Sequence, residues 1–468
     1  MSKNKIVTAL KLPLEPDTAA TSILDGQSRI CNWLYNTLLD RANTLRNQFK
    51  ETQDSQIART VYTERGLRNL LPTLKEGSPF LKVVHSSPLK NSALRLSTSI
   101  QAYQKSKKGK RKGNTGWPKF RSWKASWFSL FYDEPGKGFK VEGNQLLLSL
   151  GMGRDKVRRS LPIPIKDADL LKNRTLRNLR IVKKHGIFYA VFTIEKIVPE
   201  MKPISRIIAL DPNHKNLCYG VDTDAEAIEI ASPHWLKTYD TRIDELKSLR
   251  DRCVRKAEQM EVLDENGSPT GKTYFRPSKR WTKFQNTLER ALRKRRCQTK
   301  TFLYTTAHAL FKKYDCVGIG DYTPHGNGST TKMRRAMNNR SLIGRFKEVV
   351  SWVAIKSGKT YMEFNEAGTT RTCHSCDHSM PDGIAPDIRQ WECPKCRAFH
   401  IRDENAAING LKLVIKHVIK KYGMNFPSVS CSDLGSVMNR WAWRVTPRSV
   451  RSTLQGCSSS VITAAAGN

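Results

Sequence analysis

Alternation of hydrophobic and polar residues predicts β-strands at the start of the chain and again across residues 126–200. Residues 5–13 alternate with the period of a strand, and the later stretch contains strand-sized segments separated by glycine-containing turns. Between them, residues 18–114 carry apolar residues mostly at helical spacing. The simplest architecture is a small antiparallel β-barrel, completed by the N-terminal strand and interrupted by a helical insertion.

The second half of the chain alternates short apolar strands with longer helical segments. In order, the pattern predicts three strands within 206–232, basic helices at 235–260 and 278–315 joined by a loop, a strand at 316–321, a helix at 341–357, a strand at 359–370 and a helix from 403. This order is that of an RNase H-like fold. We therefore predict an α/β multidomain protein with an RNase H-like domain in its second half.

Two C-x2-C pairs, separated by 16 residues, follow the last predicted strand. Their members are Cys373, Cys376, Cys393 and Cys396. Paired thiolates on two tight turns can complete a tetrahedral zinc site, and structural zinc of this kind performs no chemistry itself. We predict a structural zinc ribbon inserted into the RNase H-like domain.

Charge narrows the class of partner. The 468 residues include 81 Lys and Arg against 42 Asp and Glu, a formal net charge of +39. A surface kept basic only for solubility needs a few charges, so an excess of this size indicates a polyanionic partner such as nucleic acid. With no apolar stretch of membrane length and seven scattered cysteines besides the two pairs, we expect a location in the prokaryotic cytoplasm or nucleoid and no membrane partner.

Cations interleaved with aromatic residues mark candidate nucleic-acid-binding segments. One candidate set is a glycine-containing loop, and the other lies on the second basic helix: Lys107, Lys108, Lys110, Arg111, Lys112, Trp117, Lys119, Phe120 and Arg121; and Arg293, Lys294, Arg295 and Arg296. The loop combines phosphate-binding charge with stacking surfaces, and basic helices track phosphate backbones. The alternatives are a solvated loop whose aromatics anchor the next strand, and a helix face that is merely charged.

Two aspartates stand where catalytic metal ligands occur in RNase H-like nucleases, in which carboxylates from separate strands and a helix hold two divalent cations. Asp211 follows the apolar run 207–210, where a carboxylate is costly unless it is paired or bound to a cation. Its alternative role is an Asx-turn cap at a strand end. Asp403 begins the last helix, where an aspartate also stabilises the helix N-terminus. A third acid is needed between them.

These motifs together resemble the RuvC nuclease and zinc-ribbon half of TnpB, an RNA-guided DNA endonuclease, and of compact type V CRISPR effectors. The resemblance rests on ALDPNHKN, VGIGDYTP, NEAGTTRTCHSC, CPKC and RDENAA, is strong over 206–415 and weaker upstream around GWPKFRSWK. It implies a wedge-like β-barrel (1–15 and 115–205), a helical recognition domain (16–114), a RuvC-like domain (206–372 and 397–425), a target nucleic-acid-binding zinc ribbon (373–396) and a flexible tail (426–468).

The chain departs from the usual family pattern at the second catalytic acid. Gly320 stands where a glutamate ordinarily ends the strand, and Asp321, which follows it, is read as a turn residue. Some family members resemble this chain in carrying the glutamate on the next strand, in a motif similar to the Asn-Glu-Ala-Gly-Thr-Thr that begins at Asn365. The resemblance therefore implies Glu366 as the second ligand, on the expectation that both strands flank the first. A surface acid is the alternative role, and Glu363 is a lesser candidate.

A smaller departure is Asn213, which replaces a frequent glycine and tolerates the left-handed conformation that a turn can require.

The resemblance implies a guide RNA and double-stranded target DNA as partners, with a monomer or homodimer on one RNA. Asp211, Glu366 and Asp403 would hold two Mg²⁺ ions and cleave DNA beside a short adjacent motif, while zinc stays structural. The main alternative is a guided DNA-binding protein, a repressor or targeting factor, that has lost cleavage with the glutamate at position 320. A transposase or resolvase without RNA is a third class that shares the fold.

Overall fold

The structure is a computed structural model, and its described residues form two compact units, 5–197 and 198–441. The described ranges are 5–110, 113–121, 127–152, 157–184, 186–213, 216–254, 258–263, 268–322, 341–385, 388–423 and 440–441. Almost all of the predicted flexible tail, 426–468, lies outside them. In the described part of the chain, no helix has the length and apolarity to cross a membrane.

Two antiparallel sheets form the β part of the first unit. Its strands are β1 (Lys5–Leu14), β2 (Ser129–Tyr132), β3 (Phe139–Glu142), β4 (Gln145–Met152), β5 (Arg158–Pro164), β6 (Leu176–Lys184) and β7 (Ile187–Ile197). The sheet orders are β1-β7-β6-β2 and β3-β4-β5. The first strand pairs with the last along its whole length, from Lys5 opposite Ile197 to Leu14 opposite Phe188. Closure of the two sheets into one barrel stays a prediction.

Helices fill the interval between β1 and β2, where helical spacing predicts them. They are α1 (Thr18–Thr52), α2 (Ser55–Tyr62), α3 (Glu64–Asn69), α4 (Leu71–Gly77) and α5 (Ser86–Lys107), with short 3-10 helices at Pro79–Val83 and, after β5, Ala168–Leu171. The Asp17 side chain accepts a hydrogen bond from the Ala20 backbone N–H at 2.7 Å and so caps α1. Buried residues such as Leu24, Leu34 and Leu38 then follow at helical spacing.

The second unit is built on a mixed sheet. Its strands are β8 (Ile207–Pro212), β9 (Cys218–Asp222), β10 (Ala227–Ile230), β13 (Cys316–Gly320), β14 (Thr360–Phe364) and the two-residue β17 (Arg440–Trp441). The order is β14-β13-β8-β9-β10-β17; β8, β9 and β10 are antiparallel, whereas β13 runs parallel to both β8 and β14. This is the strand arrangement of an RNase H-like fold, as predicted.

Helices cover both faces of this sheet. They are α6 (Leu236–Val254), α7 (Lys279–Lys313), α8 (Ile343–Ser357) and α9 (Arg402–Tyr422). α7 and α8 pack on one face through residues such as Phe302 and Phe346, and α9 packs on the other through Leu411 and Val414. Burial on both faces explains why β8 is apolar along its length rather than alternating.

Two small hairpins complete the unit. β15 (Gln390–Glu392) and β16 (Phe399–Ile401) lie beside the cysteines. β11 (Glu258–Leu263) and β12 (Pro269–Arg276) pair between α6 and α7, so the predicted loop there, and the predicted helix as far as 260, are wrong. Backbone pairing shows this, because Gln259 lies opposite Phe275 and Met260 opposite Tyr274 in the antiparallel register.

One carboxylate joins the beginnings of the three parallel strands. Asp315, before β13, accepts hydrogen bonds from the Ser205 N–H and hydroxyl at 3.1 and 2.6 Å and from the Arg206 N–H at 3.1 Å, just before β8. It also pairs with the Lys359 ammonium, before β14, at 3.0 Å. Burial raises the pKa of Asp315, but the hydrogen bonds from Ser205, Lys359 and Arg206 outweigh it and hold the pKa at about 2.

Replacing Asp315 with asparagine should destabilise the second unit. The folded pKa lies below the ordinary value of 3.8, so the ionised group contributes stability above about pH 4, and this contribution disappears as pH falls towards 2. We expect Asp315→Asn to lower the free energy of unfolding by about 2 kcal/mol at pH 7. Urea titration of both proteins at pH 7 and pH 3 measures this loss of unfolding free energy. Asp244→Asn, at an exposed helical pair, is the control; an equal loss in both variants would contradict the prediction.

Candidate active site

Asp211 lies at the end of the central strand β8 and is only 8% exposed. Burial, and then the negative charges of Glu366 and Asp403, raise its pKa well above the usual range. The turn that follows is capped by a different residue, because the Asn213 side chain accepts the hydrogen bond from the Asn216 N–H at 2.7 Å. Asp211 is therefore not needed as the Asx-turn cap. Asn213 stabilises the turn through its side chain rather than by adopting a left-handed backbone.

Glu366 follows β14, and its carboxylate reaches the end of β13. An ideal Cβ built on Gly320 would lie 1.8 Å from Glu366 Oε1. The expectation that both strands flank β8 is wrong, because β14 is separated from β8 by β13. The Glu366 side chain nevertheless reaches the end of β13, because Gly320 has no side chain that would occupy the same space. The carboxylate thus lies at the strand position where the usual family glutamate would begin.

The surroundings of Glu366 differ from those of a surface acid. Oε1 is buried and has no hydrogen-bond partner in the structure. Burial raises the pKa of Glu366 to about 7; the Lys347 charge lowers it and the Asp321 charge raises it further. Glu363, in contrast, is half exposed, accepts from the Tyr361 hydroxyl at 2.9 Å and lies 3.5 Å from Lys347. Of the two glutamates, only Glu366 carries a negative charge that raises the pKa of Asp211.

Asp403 lies in the first turn of α9, and its side chain is 19% exposed. The N-cap residue is Ile401, which makes no side-chain capping bond. Asp403 pairs with Arg389, a residue of the cysteine-containing segment, at 3.2 Å. Its position in the first turn favours a negative charge there, and its effect on the pKa of Asp211 places it in the same acidic cluster.

Asp211, Glu366 and Asp403 supply the kind of oxygen ligand that a divalent cation binds. Asp211 is buried and Glu366 is partly buried, the negative charge of Glu366 raises the pKa of Asp211, and the Oε1 atom of Glu366 is buried without a hydrogen-bond partner. Hard cations such as Mg²⁺ prefer carboxylate oxygens and would relieve both the repulsion and the desolvation. The three carboxylates lie farther apart than the four sulfurs do. Within the described ranges, the cysteines are the only group of potential ligands close enough together to hold a metal ion as they stand.

The four cysteines form a cluster whose sulfur atoms all lie within 4.8 Å of one another. Each C-x2-C pair makes the same turn: the Asp377 N–H donates to the Cys373 carbonyl at 2.9 Å, and the Arg397 N–H donates to the Cys393 carbonyl at 2.8 Å. Asp377 and Arg397 both have left-handed backbones, with φ of 55° and 56°. Two matched turns that present four sulfurs fit tetrahedral zinc, and hence the predicted ribbon.

Two buried asparagines on α9 tie the Glu366 loop to the helix that carries Asp403. The Asn405 amide donates to the Thr369 and Thr372 carbonyls at 3.1 and 2.8 Å, and its oxygen accepts from the His374 N–H at 3.0 Å. One turn later, the Asn409 amide donates to the same two carbonyls at 2.9 and 2.7 Å. The sequence reasoning missed both residues. Amides four residues apart on the apolar face of a helix were the available signal.

Trp117 has partners within the first unit. Its indole N–H donates to Asn43 at 2.8 Å, and its ring centroid lies 4.1 Å from the Arg46 guanidinium and 5.3 Å from the Tyr103 ring. These contacts hold Trp117 against α1 and α5 rather than against the next strand, where the alternative interpretation expected it. Its stacking on nucleic acid stays a prediction.

Arg121 is similarly engaged. Its backbone N–H donates to Asn36 and its guanidinium donates to Asn32, both at 2.8 Å, and the guanidinium lies 3.7 Å from the Tyr35 ring. Burial lowers its pKa to about 10. Lys119 and Phe120, by comparison, are exposed, as are the predicted binding residues Lys107, Lys108 and Lys110 of the same segment. Arg111 and Lys112 lie outside the described residues.

The four cations of α7 are not equivalent. Arg295 pairs with Asp240 through two hydrogen bonds of 2.5 and 3.0 Å, so α6 and α7 are joined at this point. Lys294 and Arg296 are exposed, and Arg293 is partly buried. A nucleic-acid role remains a prediction for all four, and the exposed pair is best placed for it.

An RNase H-like sheet, an acidic cluster at the ends of its strands and an adjoining four-cysteine cluster define the class of this unit. Residues 344–410 match the family model "Cas12f1-like, TNB domain". This match agrees with the motif resemblance over α8, β14, the cysteine-containing segment and the start of α9.

Curated relatives match part of the chain. A TnpB-like protein of Acanthamoeba polyphaga mimivirus is 28% identical over 144 residues, which cover 30% of this chain and 27% of the relative. The CRISPR-associated DNA-binding protein Cas12m of Allomeiothermus silvanus is 25% identical over 139 residues, 28% of this chain and 25% of the relative. The matched region thus spans about a quarter of the length of these relatives.

Solved structures are similar over most of the chain but at low identity. A Cas12f1–sgRNA–target DNA complex has 14% identity and a TM-score of 0.44, covering 87% of this chain and 99% of that one. The mini-RNA-guided endonuclease CRISPR-Cas_phi3 has 10% identity and a TM-score of 0.42, with coverage of 88% and 92%.

The cysteine cluster should bind one zinc ion per chain. We expect zinc measured by inductively coupled plasma mass spectrometry to fall to near zero in Cys393→Ser, because three sulfurs cannot close the site. Cys297→Ser, which changes an exposed cysteine on α7, should keep the metal. Full zinc in Cys393→Ser, or none in the wild type, would contradict the assignment.

Asn405→Asp should loosen the loop that carries Glu366. A carboxylate would face the Thr369 and Thr372 carbonyl oxygens in a site that is 1% exposed. We expect a loss of about 3 kcal/mol in unfolding free energy and faster hydrogen exchange across 369–374. Lys416→Glu, on the exposed side of the same helix, is the matched control and should change stability by less than about 0.5 kcal/mol. Unchanged hydrogen exchange in Asn405→Asp would show that Asn405 does not hold the Glu366 loop against α9.

Proposed function

We propose that this protein is an RNA-guided, metal-dependent DNA endonuclease that cleaves double-stranded DNA next to a short adjacent motif. The observation that carries the proposal is the position of the Glu366 carboxylate, which fills the space beside Gly320 and adds its charge to that of Asp403 at Asp211. A chain that had simply lost a catalytic glutamate has no reason to bury another carboxylate in its place, at a cost of solvation.

Each acid is held by a different element. Asp211 is fixed by the central strand, Glu366 by the loop after β14, and Asp403 by the first turn of α9. These three residues would hold Mg²⁺ ions, which when bound supply an activated water and stabilise the leaving 3′ oxygen of the phosphodiester. Lys347 on α8 balances part of the negative charge at Glu366.

The basic segments would bind the nucleic acids. Exposed cations at the end of α5 and on α7 suit the phosphate backbones of a guide RNA and a heteroduplex, while base pairing with the guide would supply sequence specificity. The likeness to TnpB-like and Cas12 proteins supports these separate roles of the protein cations and of the guide RNA. The cysteine cluster, joined to Asp403 through Arg389, would help to place the DNA strand near the acids.

A second candidate is a guided DNA-binding protein that does not cleave. Gly320 favours it, and one relative is itself described as a DNA-binding protein. The two functions share guide and target and differ in hydrolysis alone.

The test is cleavage by protein purified with its bound RNA. That RNA is sequenced, and a matching double-stranded DNA library with randomised flanks is incubated with Mg²⁺. We expect cleavage that Asp211→Asn and Glu366→Gln reduce about 100-fold or more, because loss of a metal ligand removes several kcal/mol of transition-state stabilisation. Glu363→Gln, the half-exposed glutamate on β14, should cut at the wild-type rate.

Each other result selects a different function. Guide-dependent binding without cleavage by the wild type would replace the proposal with the repressor or targeting factor. Absence of copurifying RNA, together with DNA cleavage, would favour a transposase or resolvase.

A further inference from the structure

A buried histidine, His400 on β16, contacts the cysteine cluster without belonging to it. His400 is only 2% exposed, and its Nε2 atom lies 3.1 Å from the Cys373 Sγ atom. Within the described ranges, the potential ligands that all lie within 4.8 Å of one another are the four sulfurs, so His400 is outside that group. The imidazole therefore stands behind one sulfur, as an outer layer of the site.

Two aromatic rings fix the orientation of the His400 ring. Trp391 lies directly opposite His400 in the β15–β16 pairing, and its ring centroid is 4.5 Å away. On another side, the His374 ring packs edge-on, with its centroid at 4.7 Å and an angle of 75° between the planes. Both neighbours are themselves buried, at 9% and 8% exposed. The imidazole consequently has little freedom to turn Nε2 away from the sulfur.

The surroundings of the ring also favour one tautomer. Among the described residues, the buried Nδ1 atom of His400 has no hydrogen-bond partner. A proton on Nδ1 would be an unsatisfied buried donor and would turn the Nε2 lone pair towards a sulfur lone pair. A proton on Nε2 is instead donated to Cys373, and the cost is only an unpaired acceptor. The neutral ring with the proton on Nε2 is therefore the favoured form.

This contact distinguishes the first cysteine turn from the second. In both turns, the backbone N–H groups two and three residues further on donate to the sulfur of the leading cysteine, Cys373 or Cys393. Cys373 receives a side-chain donor in addition, from His400. Four thiolates around one zinc ion leave an excess of negative charge, and N–H groups that point at a buried sulfur stabilise it.

We propose that His400 is a positioning residue for the zinc site, in which its Nε2–H group donates to the Cys373 thiolate, stabilises the charge on that sulfur and slows the loss of the metal. The same bond ties the first cysteine turn to the strand that leads into α9, three residues before Asp403. The inference rests on the predicted zinc site and is independent of DNA cleavage.

The first experiment measures the rate at which zinc leaves the full-length chain for a chromophoric chelator. His400→Phe keeps a flat ring between Trp391 and His374 but removes the donor, and it should release zinc about 10- to 100-fold faster. His400→Gln places an amide N–H near the position of Nε2 and should recover most of the loss. His374→Phe makes the same exchange in the adjacent buried ring and should release zinc at close to the wild-type rate. Circular dichroism shows which variants are folded.

The same variants loaded with Co²⁺ separate a hydrogen bond from mere packing. A donated proton lowers the energy of the filled sulfur orbitals, so its removal should shift the sulfur-to-cobalt charge-transfer band to lower energy. We expect this shift in His400→Phe and not in His374→Phe or His400→Gln. The ligand-field bands of tetrahedral Co²⁺ should persist in all of them, because the four sulfurs remain.

Nuclear magnetic resonance of the wild type tests the bond without any substitution. In the chain loaded with ¹¹³Cd²⁺ and labelled with ¹⁵N-histidine, the proton of His400 should lie on Nε2 and show scalar coupling to the metal through the sulfur. His400→Gln identifies the signal by its disappearance. This measurement decides the question if His400→Phe does not fold.

Wild-type zinc release by folded His400→Phe would overturn the inference, and so would faster release with an unshifted cobalt band, which would indicate packing alone. A proton on Nδ1, or no coupling to cadmium, would also overturn it. A wild type that holds no zinc would refute the zinc assignment and this inference together. No guide RNA or DNA enters these experiments, so the proposed function is judged separately.

Discussion

The parallel pairing of β8, β13 and β14 is the constraint on which the second unit depends. At one end of these strands, Asp315 links Ser205, Arg206 and Lys359 through hydrogen bonds and an ion pair. At the other end, the same pairing brings the acidic side chains together. Because parallel strands all end at the same edge, a fixed register at their beginnings determines which residues meet at their ends.

Space is the second determinant of the site. Glu366 belongs to a strand that is not adjacent to that of Asp211, yet its carboxylate lies against β13 because Gly320 has no side chain. Burial and neighbouring acids raise the pKa values of Asp211 and Glu366, and raised carboxylate pKa values of this kind are concentrated at functional sites. Glu366, 46 positions after Gly320 (366 − 320), thus places its carboxylate in the space that Gly320 leaves, and this supports our proposal that it takes the place of the usual glutamate.

The cysteine cluster and α9 act as one support for this site. Asn405 and Asn409 hold the chain between Glu366 and the first cysteine, and Arg389 pairs with Asp403 from within the cysteine-containing segment. A change that unfolds the cysteine cluster should therefore disturb the positions of both Glu366 and Asp403. This coupling explains why an element that performs no chemistry lies directly between two residues of the acidic cluster.

Periodicity and motif spacing were sufficient for much of this protein. Apart from the β11–β12 hairpin, the order of strands and helices in the second unit and the four cysteines came from local pattern, because burial on a sheet and paired thiolates leave marks within a few residues. The choice of Asp211, Glu366 and Asp403 came from pattern and resemblance together and stays a prediction. Tertiary structure alone decided that Trp117 and Arg121 have intramolecular partners, that β13 separates β14 from β8, and that Glu366 fills the space at Gly320. Those facts depend on residues distant in sequence occupying or vacating the same volume, and no local pattern records such a coincidence.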